Sequence, residues 1–171
     1  MSNRFAIFAQ AEQGHIGIKG NHPLLWKLPG DLPRFKEITA GGALIMGRHT
    51  YDSLPGRLPG RHHIVVSTKW DNGQYHDDMT VVGSLEEAFA TADSMGIERQ
   101  YVIGGGDLIN EALPYCSCVY RTAVLHTLPI LDPTFVKLPE EWPGFVRTQF
   151  EYHPGYTFEV YTNLVVKLLK G

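Results

Sequence analysis

Residues 100–114 read QYVIGGGDLINEALP and carry the pattern of a buried strand that turns sharply into a helix. Gln100 to Ile103 is a short run with aromatic and β-branched side chains, which favours a strand. Three glycines follow, and their conformational freedom permits a tight turn. Gly106 to Leu113 is predicted to form a short helix that stops before Pro114, because proline does not continue a helix interior. A strand that leads directly into a helix is typical of α/β proteins with a parallel sheet.

Similar strand-like runs recur along the chain and alternate with helical stretches. They are predicted at Arg4 to Ala11, Ala43 to Met46, His63 to Ser67, Thr80 to Val82, Gln100 to Ile103, Val119 to Leu125 and Tyr156 to Leu168. Because the tail shows strand after strand without a helix, an antiparallel hairpin is expected at one edge of the sheet. The sequence therefore predicts an α/β fold, with a mostly parallel central sheet flanked by helices and an antiparallel C-terminal hairpin at one edge.

Local signals mark the starts of two further helices. Ser84-x-x-Glu87 is a capping box, and it opens an apolar stripe made of Leu85, Ala88, Phe89 and Ala92. Asp31 to Thr39 is predicted as another helix, with Asp31 as the N-cap and Pro33 in the first turn.

The composition predicts one globular domain over residues 1–171, since a domain contains roughly 150 residues. Lys plus Arg number 15 against 18 Asp plus Glu, so the net charge is −3 and no basic surface for nucleic acid is expected. No apolar run approaches the roughly 18 residues of a membrane span. Cys116 and Cys118 are too few for a disulfide framework and are expected to be free thiols. We therefore expect a cytoplasmic, monomeric protein that binds neither membrane nor nucleic acid.

Glycines and polar residues follow three of the predicted strands at the points where the strands end. These exits read Gly47-Arg48-His49-Thr50, Ser67-Thr68-Lys69 and Gly104-Gly105-Gly106. Ligands of open α/β sheets bind outside these carboxyl ends, and glycines, hydroxyls and cations suit a phosphate-rich ligand. Each exit alone is also compatible with a tight turn or a solvated helix start. The chain lacks a P-loop, a complete dinucleotide fingerprint, a zinc motif and a G-x-S-x-G elbow, so we expect no metal and no elbow-type serine hydrolase.

Asp31 is the carboxylate with the most specific setting. It lies between Trp26 and a helix whose apolar residues are Leu32, Phe35 and Ile38. An isolated Asp at a helix start is more often an N-cap, since Asp is among the preferred caps. An apolar setting beside a tryptophan would instead favour the protonated carboxyl and let it hold or relay a proton. Both interpretations stay open on these residues alone.

Several segments in this order carry a resemblance that covers the chain from about Arg4 to the C-terminus. They are Ile16-Gly17, residues 24–32 (LLWKLPGDL) with Phe35, residues 45–51 (IMGRHTY), Leu58-Pro59-Gly60-Arg61, residues 102–106 (VIGGG), and Thr122 in a late strand. Together they resemble the dihydrofolate reductase family, and the first and second long segments are highly specific when both occur. The resemblance implies reduction of 7,8-dihydrofolate to tetrahydrofolate by hydride transfer from NADPH, which supplies one-carbon metabolism.

The resemblance assigns roles at the substrate. Asp31 would hold the pterin and promote its protonation through water, Trp26 would order that water, and Thr122 would orient Asp31. Arg61 would clamp the glutamate α-carboxylate of the substrate, a task that suits a bidentate guanidinium. The apolar slot around the rings would be formed by Ile7, Leu32, Phe35, Leu54 and Ile103.

The resemblance also implies an NADPH site. Ala9 and Ile16, with Gly17, would face the nicotinamide, and Gly47, His49 and Thr50 would lie near the pyrophosphate. The pyrophosphate itself would rest on Gly104, Gly105, Gly106, Asp107, Leu108 and Ile109. Arg48, with Ser67, Thr68 and Lys69, would bind the 2′-phosphate, where an acidic residue would suit NAD instead. The Gly104–Gly105 peptide is expected to be cis, and a side chain added at Gly105 is expected to disturb both stability and cofactor binding.

Three features of the sequence depart from the family pattern. Leu25 stands where the family has Pro, Ile109 stands where an aromatic is common, and the late loop at 131–135 reads LDPTF.

Two rival functions remain open. One rival is a reductase of the same fold that acts on another pterin or on a pyrimidine, which would have no reason to keep both Asp31 and Arg61. The other is a nucleotide-binding module without catalysis, which Asp31 beside Trp26 disfavours.

Overall fold

The computed structural model describes residues 3–11, 14–18, 28–70, 79–125, 135–139 and 141–170. The strands are β1 (Asn3–Ala11), β2 (His15–Ile18), β3 (Ala43–Gly47), β4 (His62–Val66), β5 (Met79–Val82), β6 (Arg99–Gly104), β7 (Cys118–Val124), β8 (Phe135–Lys137), β9 (Phe145–His153) and β10 (Tyr156–Asn163). The helices are α1 (Asp31–Thr39), α2 (Arg48–Ser53), α3 (Leu85–Ser94), α4 (Gly106–Ala112) and α5 (Leu164–Lys170). None of the helices in these ranges has the length and hydrophobicity that a membrane crossing requires.

Within the described residues, eight strands form one sheet, in the order β5-β4-β3-β6-β1-β7-β10-β9. β1 is parallel to both of its neighbours, β6 and β7, and β3, β4 and β5 continue the parallel part beyond β6. β10 pairs antiparallel with β7 and with β9, so a C-terminal hairpin closes one edge. β2 and β8 form a separate antiparallel pair. The predicted fold class is confirmed.

Apolar side chains cover both faces of this sheet. Alternate residues of a strand point to opposite faces, so Ala6 of β1 packs with α3 and α4 while its neighbour Ile7 packs on the opposite side. Phe35 and Ile38 of α1, together with Leu54 after α2, cover the face that carries Ile7. This second face, between α1 and the sheet, carries most of the predicted substrate slot.

The start of α3 confirms the predicted capping box, with one difference. The Ser84 hydroxyl accepts a hydrogen bond of 3.1 Å from the backbone N–H of Glu87. The Glu87 carboxylate accepts one of 2.9 Å from the N–H of Gly83, one residue before the cap. The buried face of α3 is the predicted stripe, formed by Leu85, Ala88, Phe89 and Ala92.

The predicted strand from Tyr156 to Leu168 is wrong in its second half. β10 ends at Asn163 and the chain continues as α5. The Asn163 side-chain oxygen accepts hydrogen bonds of 3.1 and 3.3 Å from the N–H groups of Val165 and Val166. This is an N-cap arrangement, and it starts a helix despite the β-branched valines that favoured a strand. The cap signal was present in the sequence and was missed.

Candidate active site

Asp31 and Thr122 meet where α1 begins above β7. The Thr122 hydroxyl donates a hydrogen bond of 2.7 Å to Oδ1 of Asp31, across 91 residues of sequence. Thr122 is buried, whereas Asp31 is half-buried. The prediction that Asp31 is the N-cap of α1 is wrong, because Gly30 occupies that position and Asp31 is the first helical residue. The carboxylate is therefore directed at a strand of the sheet and takes no part in capping.

Gly30 brings the start of α1 close to β10. A Cβ added to Gly30 would lie 2.8 Å from the Tyr156 hydroxyl and 3.4 Å from the ring of Phe158. The φ of Gly30 is −94°, so the close approach, and not backbone conformation, requires glycine here. Phe158 is the cross-strand partner of Thr122. The position of Asp31 therefore depends on Gly30, Tyr156 and Phe158. The sequence interpretation did not include these three residues in the site.

Four of the five residues predicted for the apolar slot belong to one hydrophobic cluster or pack against it. Ile7 is buried in the cluster on the α1 face of the sheet, and Phe35, Leu54 and Ile103 pack against that cluster. Leu32 does not join this cluster, and its side chain is 52% exposed. Phe35 follows Asp31 by one helical turn, so the carboxylate and the apolar ring lie on the same side of α1. The arrangement places one carboxylate at the edge of an apolar surface.

Arg61 is held at the end of α1 by three hydrogen bonds. Its Nε donates to the Thr39 hydroxyl at 2.9 Å, and its Nη1 donates to the Pro59 carbonyl at 2.5 Å. Its Nη2 donates to the Lys36 carbonyl. A guanidinium has five N–H groups, so one further N–H remains on each terminal nitrogen. The guanidinium is therefore held by one hydroxyl and two carbonyls, and each terminal nitrogen keeps one N–H that none of these bonds uses.

The ends of β3 and β6 lie side by side and are lined with glycine. A Cβ added to Gly47 would lie 3.8 Å from the Gly105 nitrogen, and one added to Gly104 would lie 2.8 Å from Oγ1 of Thr50. Gly104 has a φ of +151°, and the Gly104–Gly105 peptide is cis, as predicted. A Cβ on Gly105 would meet no atom within 4 Å. A side chain at Gly105 was expected to disturb stability, but the steric crowding falls on Gly104.

Arg48 stands at the start of α2 beside the exit of β4. Its guanidinium lies 5.2 Å from the ring of Trp70 and 3.5 Å from the carboxylate of Asp52. The Ser67 hydroxyl accepts a 3.3 Å hydrogen bond from the N–H of Lys69, which folds the β4 exit into a turn. Trp70 directly follows that turn and contacts Arg48, so it lies between the two groups of residues predicted to bind the 2′-phosphate. The sequence interpretation missed Trp70.

The predicted cofactor residues on α4 differ in whether their side chains are exposed or packed in the core. Gly106 begins α4, and Asp107 lies exposed in its first turn. The Ile109 side chain is buried in the core, and its N–H donates to the Gly105 carbonyl, so its assignment to the pyrophosphate site stays a prediction. Leu108 packs beside the same core.

Four predicted residues lie on other elements. Ala9 is buried on β1 and is the register partner of Thr122. Ile16 is half-buried on β2 and Gly17 belongs to the same strand. His49 is exposed on α2. Trp26, Leu25 and residues 131–134 of the late loop lie outside the described residues.

The chain is similar to a family of known proteins. A family model for dihydrofolate reductase matches residues 5–163. The dihydrofolate reductase of Mycobacterium tuberculosis (strain ATCC 25618 / H37Rv) is 39% identical over 158 residues, which cover 85% of this chain and 91% of that protein. That of Bacillus subtilis (strain 168) is 38% identical over 162 residues, which cover 91% of each. The matched segment contains Asp31, Thr122, Arg61 and the glycine-lined strand ends, and by these similarities the chain belongs to the dihydrofolate reductase family.

Proposed function

We propose that this chain reduces 7,8-dihydrofolate to tetrahydrofolate, with NADPH as the hydride donor and Asp31 as the group that promotes protonation of the substrate. The observation that carries the proposal is the Asp31 carboxylate, held by the buried Thr122 hydroxyl at 2.7 Å beside an apolar surface. A carboxylate in this position can accept hydrogen bonds from the amidine-like edge of a pterin while the rings rest on apolar side chains.

Substrate protonation needs a group that exchanges a proton near the ring nitrogen. Asp31 is half-buried, so its carboxylate stays in contact with water from which the proton can come. Thr122 donates to Oδ1 and so orients the carboxylate, and Oδ2 is the oxygen that we assign to the pterin. At the other end of the slot, the two remaining N–H groups of Arg61 suit the α-carboxylate of the glutamate tail.

The glycine-lined ends of β3 and β6 suit a dinucleotide. Open space above Gly105 allows a pyrophosphate to approach the backbone closely, and Arg48 is partly exposed beside it. Arg48 with Ser67, Thr68 and Lys69 offers a cation and hydroxyls for a 2′-phosphate, which favours NADPH over NADH. When bound, NADPH supplies the hydride. The chain's own residues orient the two ring systems and promote protonation of the substrate from water.

Asp31→Asn tests the catalytic assignment. Asn keeps the shape and the Thr122 hydrogen bond but carries neither charge nor proton, so kcat/KM for dihydrofolate at neutral pH should fall about 100-fold or more. The loss should shrink at low pH, where solvent protonates the substrate, and NADPH affinity should be unchanged. Glu37→Gln, on the exposed side of the same helix, is the matched control and should behave as wild type. Wild-type kcat/KM in Asp31→Asn would refute the assignment.

Arg48→Ala tests the choice of cofactor. The variant removes a charge-assisted contact to a group that only NADPH has, and such contacts contribute about 1.5–3 kcal/mol. The KM for NADPH should rise roughly tenfold or more while the KM for NADH stays nearly constant. Equal changes in the KM for both cofactors would contradict the assignment of Arg48 to the 2′-phosphate. Assays with dihydrofolate and with a pyrimidine substrate distinguish the proposed reaction from that of another reductase of this fold.

A further inference from the structure

His63 is a buried histidine that bonds to the loop between α2 and β4. Its side chain is fully buried, and its register partners Leu44 and Met79 belong to the cluster on the α1 face of the sheet. Its Nε2 accepts a hydrogen bond of 3.2 Å from the backbone N–H of Leu58. A nitrogen that accepts carries no proton, so Nε2 is the unprotonated nitrogen of this ring. The loop, residues 54–61, which we call the clamp loop, is thereby attached to β4.

The clamp loop ends at Arg61, the residue that the proposed function places at the substrate carboxylate. The Arg61 guanidinium is directed at α1, where its Nη2 donates to the Lys36 carbonyl. Its Nη1 donates to the Pro59 carbonyl at 2.5 Å. Pro59 directly follows Leu58. The hydrogen bond from the clamp loop to His63 therefore lies one residue away from a carbonyl that holds the guanidinium.

Little backbone freedom separates the Leu58 N–H from that carbonyl. Proline fixes its own φ at about −65°, and it restricts the residue before it to extended conformations. On the other side, the Gly60 carbonyl accepts a 3.2 Å hydrogen bond from the N–H of Gly41. The Pro59 carbonyl thus lies between two attached residues, and His63 provides the attachment at Leu58.

We propose that His63 is a positioning residue that holds the clamp loop, and through it the Arg61 guanidinium, in the orientation that binds the carboxylate of the substrate tail. The inference rests on the proposed function, in which Arg61 binds that carboxylate. A guanidinium binds a carboxylate through two parallel hydrogen bonds, which require a defined orientation. Loss of the His63 contact should therefore weaken binding of the tail and leave binding of the ring system unchanged.

The test compares His63→Met with His63→Gln. Both replacements carry a terminal atom three bonds beyond Cβ, as Nε2 is in histidine, but only glutamine offers the Leu58 N–H an acceptor. Quenching of tryptophan fluorescence measures the dissociation constants of dihydrofolate and of a 7,8-dihydropterin that lacks the p-aminobenzoylglutamate tail. In His63→Met the constant for dihydrofolate should rise about threefold to tenfold, and that for the dihydropterin should change less than about twofold. His63→Gln should restore most of the affinity for dihydrofolate.

Two further variants separate the hydrogen bond from packing and stability. His63→Phe removes the acceptor but keeps a ring for the edge-on contact with Tyr51 at 6.4 Å, and it should show the same selective loss as His63→Met. Thr80→Val is the matched control, because it removes the 2.8 Å hydrogen bond between Thr80 and His62, the residue before His63 on β4. It should lower the melting temperature and leave both dissociation constants unchanged.

A double-mutant cycle shows whether His63 acts through Arg61. In an Arg61→Met background, His63→Met should weaken dihydrofolate binding by less than about twofold, because the group that it positions is gone. The inference is overturned by a full additional loss in that background, by equal losses for both ligands, or by unchanged dissociation constants with only a lower melting temperature. The proposed function fails in a different way, through a wild type that does not reduce dihydrofolate with NADPH.

Discussion

Replacing Thr122 with Val removes one hydroxyl from the centre of the site and leaves the shape and β-branching of the side chain in place. The lost contact is the 2.7 Å hydrogen bond to Oδ1 of Asp31. A hydrogen bond to a charged acceptor contributes about 1.5–3 kcal/mol. Asp31 is half-buried, so water can replace part of this contact, and we expect a smaller loss than this range, about 1–1.5 kcal/mol.

Two assays measure the effect of Thr122→Val. Thermal unfolding should show a melting temperature lower by about 3–5 °C, given about 2–4 °C per kcal/mol for a chain of this size. Steady-state NADPH oxidation should show a kcat/KM for dihydrofolate reduced about fivefold to tenfold, because the carboxylate is no longer oriented. Thr122→Ser keeps the hydroxyl and is the matched control, and it should retain most of the activity. The reasoning is refuted if the Val variant keeps both the melting temperature and the kcat/KM of wild type.

Two further predictions follow from burial and backbone geometry. Gly104→Ala should lower the free energy of unfolding by about 1–3 kcal/mol, since its φ is +151° and its Cβ would meet Thr50 at 2.8 Å. Gly105→Ala should change it by less than about 0.5 kcal/mol in denaturant titrations and weaken NADPH binding instead. Burial raises the pKa of the Cys116 thiol to about 12 from a usual value near 9. Between these pH values the unfolded chain loses this proton while the folded chain keeps it. The free energy of unfolding should therefore fall by up to about 1.4 kcal/mol per pH unit as the pH rises. Cys116→Ala should reduce this fall, whereas Cys118→Ala should not.

Features that depend on neighbouring residues were predictable from the sequence. The strand–turn–helix unit around Gly104, the capping box at Ser84 and the antiparallel C-terminal hairpin follow from propensity and short-range hydrogen bonding. The α5 helix was equally local, since Asn163 caps it, and the error there came from giving β-branched residues more weight than the cap. Resemblance to the family predicted that Thr122 hydrogen-bonds Asp31, which the structure shows, while the roles of Asp31 and Arg61 stay predictions.

Features that depend on distant residues were decided by the tertiary structure. Whether Asp31 caps its helix or faces a strand depends on Thr122, 91 residues away, and on how closely Gly30 lets α1 approach β10. The same holds for Ile109, whose burial depends on the packing of α4 against the sheet. The sequence by itself determined the elements and the residue types of the site, because those depend on local interactions. Which side chains meet was decided by the fold, because contacts between distant residues depend on how whole helices and strands pack.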